Sequence, residues 1–164
     1  LQNVSLFSST LSENLTVFDS SVPARRQIES LRTIEAEDLL ERIPGGLSGE
    51  ISEGGQNLSM GERQLINFAR AVLHRPEILI LDEATSSVDP GTEKRIQKAM
   101  DMLFEGRTAL VVAHRLTTVR NADRIYVIQA GQVVETGTHL ELLECGGVYA
   151  GLCRLQLVPE AVNA

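Results

Sequence analysis

The sequence predicts an α/β domain built on a parallel sheet. Three observations carry that prediction. Ile78-Leu79-Ile80-Leu81 is a run of branched aliphatic residues of strand length, closed by the adjacent carboxylates Asp82 and Glu83. Ile96, Ala99, Met100 and Leu103 then recur at helical spacing, and Thr108 to Ala113 forms a second apolar run. Strand, helix and strand in that order make a β-α-β unit with parallel strands. A continuous apolar run further implies that the strand at 78–81 is covered on both faces.

Ligands of open α/β sheets gather beyond the carboxyl ends of the strands, which is where Asp82 and Glu83 fall. A core strand followed by a helix-capping acid is the bland reading of the same six residues. His114 follows the second strand directly and reaches the same sheet edge, although a lone histidine after a strand is more often a hydrogen-bonded structural residue.

The chain of 164 residues carries a net charge of −7 and shows no basic cluster, which argues against nucleic acid as a direct partner. Two cysteines, Cys145 and Cys153, are too few for a disulfide framework and fit a reducing compartment. No apolar run approaches the roughly 18 residues of a membrane span, and no signal peptide opens the chain. Leu1-Gln2-Asn3 lacks an initiator Met, and the reading is of a portion of a longer protein.

In chain order, Phe7, Leu11 and Leu15 have helical spacing and follow a loop holding Gln2. Ile28, Leu31, Ile34, Leu39 and Leu40 supply a broken stripe, giving small helices near 24–32 and 35–42 that Pro44-Gly45-Gly46 terminates. From residue 53 a Gly-rich loop leads to Leu58-Ser59-Met60-Gly61-Glu62-Arg63-Gln64, and then Leu65, Phe68, Ala69, Val72 and Leu73 repeat helically. Ser59 with Glu62 is a capping box that starts a helix at Ser59. The same geometry suits a phosphate, because free N–H groups and the positive dipole end point outward there, and Gly61 lets the backbone approach an anion.

Asp89-Pro90 opens the helix of the β-α-β unit as N-cap and first residue. Leu116, Val119 and Ala122 mark a short helix. Arg124 to Ile128 is a strand that Ala130-Gly131 turns into a partner near Gln132–Glu135. Thr138 caps a helix over His139–Glu144, and Leu152, Leu155 and Leu157 suggest a last helical stretch. His74, His139 and both cysteines carry no assigned chemistry.

Taken together, Leu58–Gln64, Ile78–Glu83, Ser87-Val88-Asp89 and His114 resemble the signature motif, Walker B segment, D-loop and switch histidine of the ATP-binding cassette (ABC) ATPases. Leu1 to Leu11, with Glu13-Asn14, resembles the Q-loop region of exporter-type cassettes. These motifs stand in the family's order and cover nearly the whole chain. The resemblance implies a parallel-sheet P-loop NTPase core with a helical subdomain, truncated at its N-terminus: a Q-loop region at 1–18, a helical subdomain at 19–75, and the remaining catalytic core at 76–164.

By the same resemblance Asp82 would hold Mg²⁺ through water, and Glu83 would act as general base or orient the attacking water. His114 would contact the γ-phosphate of ATP, and Gln2 would touch the metal or the water and sense the membrane domain. Ser59 and Gly61, with Glu62, would face the ATP of a second nucleotide-binding domain. Asp89 would organise that dimer interface, and Glu53 would contact coupling helices of a transmembrane domain upstream in the same polypeptide. Gln2, Asp82, Glu83 and His114 would converge on one rim at the cytoplasmic face of the membrane, and hydrolysis there would power export.

Met60 and Glu62 stand where the family often has Gly and Gln. Glu62 adds a negative charge near a phosphate. No Gly-Lys-Ser/Thr phosphate loop is present, since the only lysines, Lys94 and Lys98, do not follow a glycine. In the family the strand of that loop lies between those at 108–113 and 124–128. Residues 1–164 alone are therefore expected to bind ATP weakly and hydrolyse it negligibly. A soluble ABC ATPase of DNA repair or translation is the first rival, but no coiled-coil or basic insertion lies between Gln2 and Ser59. A regulatory cassette that binds without hydrolysing is the second, and Glu83 and His114 argue against it.

Overall fold

A computed structural model describes residues 6–82, 90–113 and 116–157. The chain divides into two compact units, residues 1–112 and 113–164. The boundaries expected at 18/19 and 75/76 both lie inside the first unit, because its helices and its strands share one apolar core.

That core is built from the N-terminal helices outward. Helix α1 (Leu11–Thr16) follows strand β1 (Ser9–Thr10) and starts with a capping box between Thr10 and Glu13. Phe7 lies outside the helix, contrary to the spacing, because Asn14 ties its backbone down: Phe7 N donates to Asn14 Oδ1 at 2.9 Å and Asn14 Nδ2 donates to Phe7 O at 3.0 Å. Leu11 and Leu15 point inward and are fully buried. Burying each such side chain contributes about 1.5–3 kcal/mol.

Helix α2 (Ala24–Thr33) matches the expected span closely. The helix expected at 35–42 is only α3 (Leu39–Arg42). The physical cause is Glu35, whose left-handed backbone (φ 54°) lets Ala36 N donate back to Leu31 O at 2.9 Å and closes α2. Strand β2 (Glu50–Ile51) pairs antiparallel with β1.

Helix α4 (Met60–His74) runs through the middle of the unit, with Leu65, Ile66, Phe68 and Ala69 buried. Strand β3 (Ile78–Asp82) pairs in parallel with β4 (Thr108–Val112), Ile78 opposite Thr108 and Asp82 opposite Val112. Helix α5 (Pro90–Phe104) connects them, so the β-α-β unit is present. One expectation fails. Leu79 and Leu81 are buried in the core with Ile96, Met100 and Leu103 of α5, but Ile78 and Ile80 are 64% and 66% exposed. Leu110 and Val112 share that exposure. The continuous apolar run therefore has one covered face, packed in the cluster that includes α5, and one open to solvent.

The second unit holds α6 (Leu116–Val119), the hairpin β5 (Ile125–Gln129) and β6 (Gln132–Gly137), α7 (His139–Cys145) and α8 (Val148–Leu157). The hairpin turns at Ala130 and Gly131, both at positive φ, the signature of a two-residue primed turn. Strand β5 begins one residue later than expected. Ile125, Val127, Leu142, Tyr149 and Cys153 form its core. The Tyr149 hydroxyl shares a 2.7 Å hydrogen bond with His139 Nδ1, and burial, reinforced by Cys153, pushes its pKa up to about 12. His139 thus has a structural partner. Among the described residues β4 pairs with β3 alone and β5 with β6 alone.

Candidate functional site

The start of α4 is organised by the loop before it. Asn57 bridges that loop, accepting from Ser52 N at 3.0 Å and donating to Glu50 O at 3.1 Å. Glu53 sits exposed on a short turn at Glu53–Gly55. Gly55 adopts φ 70°, and a Cβ there would lie 2.7 Å from Leu6 Cδ1 and 2.9 Å from Arg63 Cδ, so no larger residue fits without movement. Leu58 N then donates to Gly55 O, which delivers the chain to Ser59.

Ser59 is the N-cap of α4 and is exposed at the surface. Its Oγ accepts from Glu62 N at 3.2 Å, while Glu62 Oε2 accepts from Ser59 N at 2.7 Å. The capping box read from the sequence is present in full. It uses two of the amides that a helix start leaves without an intrahelical acceptor, Ser59 N and Glu62 N, and Met60 and Gly61 carry the other two. Met60 is exposed and Gly61 is buried.

Glu62, grouped in the sequence reading with residues that face a phosphate, is turned inward instead. Its residue is 7% exposed, and its second oxygen, Oε1, pairs with Arg42 Nη1 at 2.7 Å. Both carboxylate oxygens are thus engaged within the chain, and the extra charge at this helix start has a counter-charge beside it. No local pattern points to that partner, because Arg42 belongs to α3, twenty residues earlier.

A second feature escaped the sequence reading. The Arg70 guanidinium reaches back from α4 to α1, with Nε donating to Asn14 O at 2.5 Å, Nη2 to Asn14 Oδ1 at 2.9 Å and Nη1 to Asn67 Oδ1 at 3.0 Å. It also lies 5.6 Å from the centre of the Phe7 ring. Burial lowers the Arg70 pKa. This hub fastens the segment after residue 6 to the helix that begins at Ser59.

Asp82 ends β3, half-buried, at the carboxyl edge of the parallel pair. Gln2, Glu83, Asp89 and His114 lie outside the described residues, and so does the expectation that they converge with Asp82. Ser59 and Asp82 therefore stand at an outward-facing helix start and at the strand edge where α/β sheets take their ligands.

A parallel β-α-β unit packed with helices, with a capped helix start and an acidic strand end, is an α/β architecture, and the family described as ABC transporter matches residues 2–86. The chain belongs to the ABC transporter family. Over 156 residues it is 47% identical to the probable multidrug resistance ABC transporter ATP-binding/permease protein YheH of Bacillus subtilis, covering 95% of this chain and 23% of that protein. It is also 49% identical, over 156 residues, to the ATP-dependent lipid A-core flippase of Alkalilimnicola ehrlichii, covering 94% of this chain and 26% of that protein. The solved structure of a bacterial Atm1-family ABC exporter with ATP bound superposes with a TM-score of 0.85 at 33% identity, over 98% of this chain and 28% of that one. The chain spans roughly a quarter of the length of these relatives. It is the exporter-type nucleotide-binding portion of the family's architecture.

Proposed function

We propose that this chain supplies part of the ATP-hydrolysing engine of a membrane exporter, acting at an interface between two nucleotide-binding domains. The observation that carries the reading is the outward-facing, capped start of α4 at Ser59, next to its neutralised Glu62. The transporter names of the relatives favour export over a DNA-repair or translation ATPase. Among the described residues no helix is long and apolar enough to cross a membrane, so the reading requires a transmembrane domain elsewhere in the assembly, with this chain on its cytoplasmic face.

The donor chemistry fits ATP with Mg²⁺. Asp82 offers hard carboxylate oxygens at a strand end, and the first turn of α4 offers backbone N–H groups to a phosphate. Mg²⁺-bound ATP supplies the phosphoryl group and its charge-neutralising cation. Asp82 would hold the cation, Glu83 would accept or orient the proton of the attacking water, and His114 and Gln2 would position that water. Ser59 and Gly61 would face the triphosphate held by the second nucleotide-binding domain, with Asp89 ordering the interface between them. Glu53, exposed on its turn, would meet the membrane part. Glu62 would act through the helix cap.

The test uses the intact protein in membranes. ATP turnover should require Mg²⁺ and disappear with a chelator, and Asp82→Asn should weaken the Mg²⁺ dependence by at least tenfold. Turnover that ignores both treatments refutes the reading.

The Arg42–Glu62 pair adds a second expectation. Arg42→Ala leaves Glu62 unpaired beside the phosphate-facing turn and should raise the KM for ATP about three- to tenfold, on the order of 1 kcal/mol. Adding Glu62→Gln should restore it, since Gln preserves the capping box without the charge. A KM unchanged in Arg42→Ala removes the electrostatic role of the pair.

A further inference from the structure

We propose that Arg95 and Lys98 of α5 close a polar clasp on the turn between α2 and α3, and that this clasp positions the N-terminal end of α5 relative to the start of α4. The inference rests on the functional reading above, in which the start of α4 faces a nucleotide and α5 belongs to the same unit as Asp82.

The contacts are specific and long-range. Arg95 grips Asp38 with two nitrogens, Nη2 to Oδ1 at 2.5 Å and Nη1 to Oδ2 at 3.1 Å. The same Nη2 donates to Glu35 O at 2.6 Å. One turn along, Lys98 pairs with the Glu35 carboxylate. The receiving turn is pre-shaped: the left-handed backbone of Glu35 ends α2, and Ala36 N is held by Leu31 O. Arg95 is 31% and Asp38 44% exposed at the side chain, so the pair is partly shielded from water. The hydrogen bond from Arg95 holds the Asp38 carboxyl below its usual range, in keeping with a persistent contact.

Apolar packing alone does not fix how α5 lies. Leu103, Met100 and Ile96 share a core with Leu65 and Leu73 of α4, and such contacts tolerate small slides and rotations because they are non-directional. A two-pronged guanidinium–carboxylate contact is directional and sets one register. Arg95 stands five residues after Pro90, about 7.5 Å along the helix axis, so fixing it fixes the first turn of α5. The other jaw, Glu35 to Asp38, leads into α3, whose Arg42 holds Glu62 at the start of α4. One chain of contacts thus runs from α5 to the Ser59 turn.

In this role Arg95 is a positioning residue. In the intact exporter Arg95→Ala is expected to lower kcat for ATP three- to tenfold with KM changed less than twofold and the thermal midpoint moved by no more than about 3 °C. Arg95→Lys, which keeps the charge and loses the fork, should recover only part of the rate. Glu35→Lys and Lys98→Glu should each slow turnover, and together should return it to at least half of the parent rate, which a mere packing defect would not do. A parent protein with Mg²⁺-dependent turnover whose Arg95→Ala form keeps kcat within twofold overturns the clasp and leaves the functional reading standing. A charge-swapped pair no faster than its single variants also overturns it. A parent protein with no Mg²⁺-dependent turnover overturns both.

Discussion

Replacing Glu83 by Gln in the intact protein is expected to cut steady-state ATP turnover by about a hundredfold or more while nucleotide stays bound. The expectation follows from its place in the chain. Glu83 comes directly after Asp82, which ends β3 at the edge where the proposed metal-bound triphosphate would rest. A carboxylate that takes or steers the proton of an attacking water contributes typically 10²–10⁴ in rate. Gln keeps the shape and one acceptor oxygen, so the loss should fall on kcat with little cost in binding. Phosphate release measured beside retention of labelled ATP separates the two. Parent-like turnover in the variant would move the base to another residue, and loss of binding along with rate would give Glu83 a ligand-holding role instead.

The second large effect is on stability. Asn14→Ala is expected to destabilise the first unit by about 3–4 kcal/mol, since each buried polar group left without its partner costs roughly 1–3 kcal/mol. Asn14 is fully buried, and its one amide serves Phe7 N, Phe7 O, Thr10 O and the Arg70 guanidinium. Alanine removes the acceptor of the part-buried Phe7 N–H, the donor to two carbonyls and one acceptor of the Arg70 guanidinium. At about 3–6 °C per kcal/mol for a unit of this size, the thermal midpoint should fall by roughly 10–20 °C. Asn14→Asp should be tolerated better, because its carboxylate still faces Phe7 N and Arg70. A midpoint within 2 °C of the parent for Asn14→Ala would mean that water replaces the amide at no cost.

What the sequence made legible was local. Ser59 and Glu62 are three residues apart, so a capping box can be read directly, and Thr138 is legible as the cap of α7. The apolar runs at 78–81 and 108–113 announce themselves as strands, and the helical repeat between them makes the parallel pairing a short step. What stayed hidden depended on distant residues. The partners of Glu62 and Asn14 lie twenty and fifty-six positions away, and no periodicity links an arginine to them. The helix expected near 35–42 is shorter, Leu39–Arg42, because the left-handed residue at Glu35 leaves no mark on the apolar spacing. The strand at 78–82 was over-read for a related reason: four aliphatic residues in a row announce that two faces can be dry without saying that both are.

That half-covered strand has a practical side. Ile80 and Leu110 are cross-strand neighbours on the open face, with Ile78 and Val112 flanking them, and all four are more than half exposed. A greasy plank of this kind is adhesive toward any other greasy plank. In a test tube holding only this polypeptide, the first thing such a surface meets is another copy of itself, which makes dilution, detergent and mild salt matters of housekeeping before any kinetics are attempted.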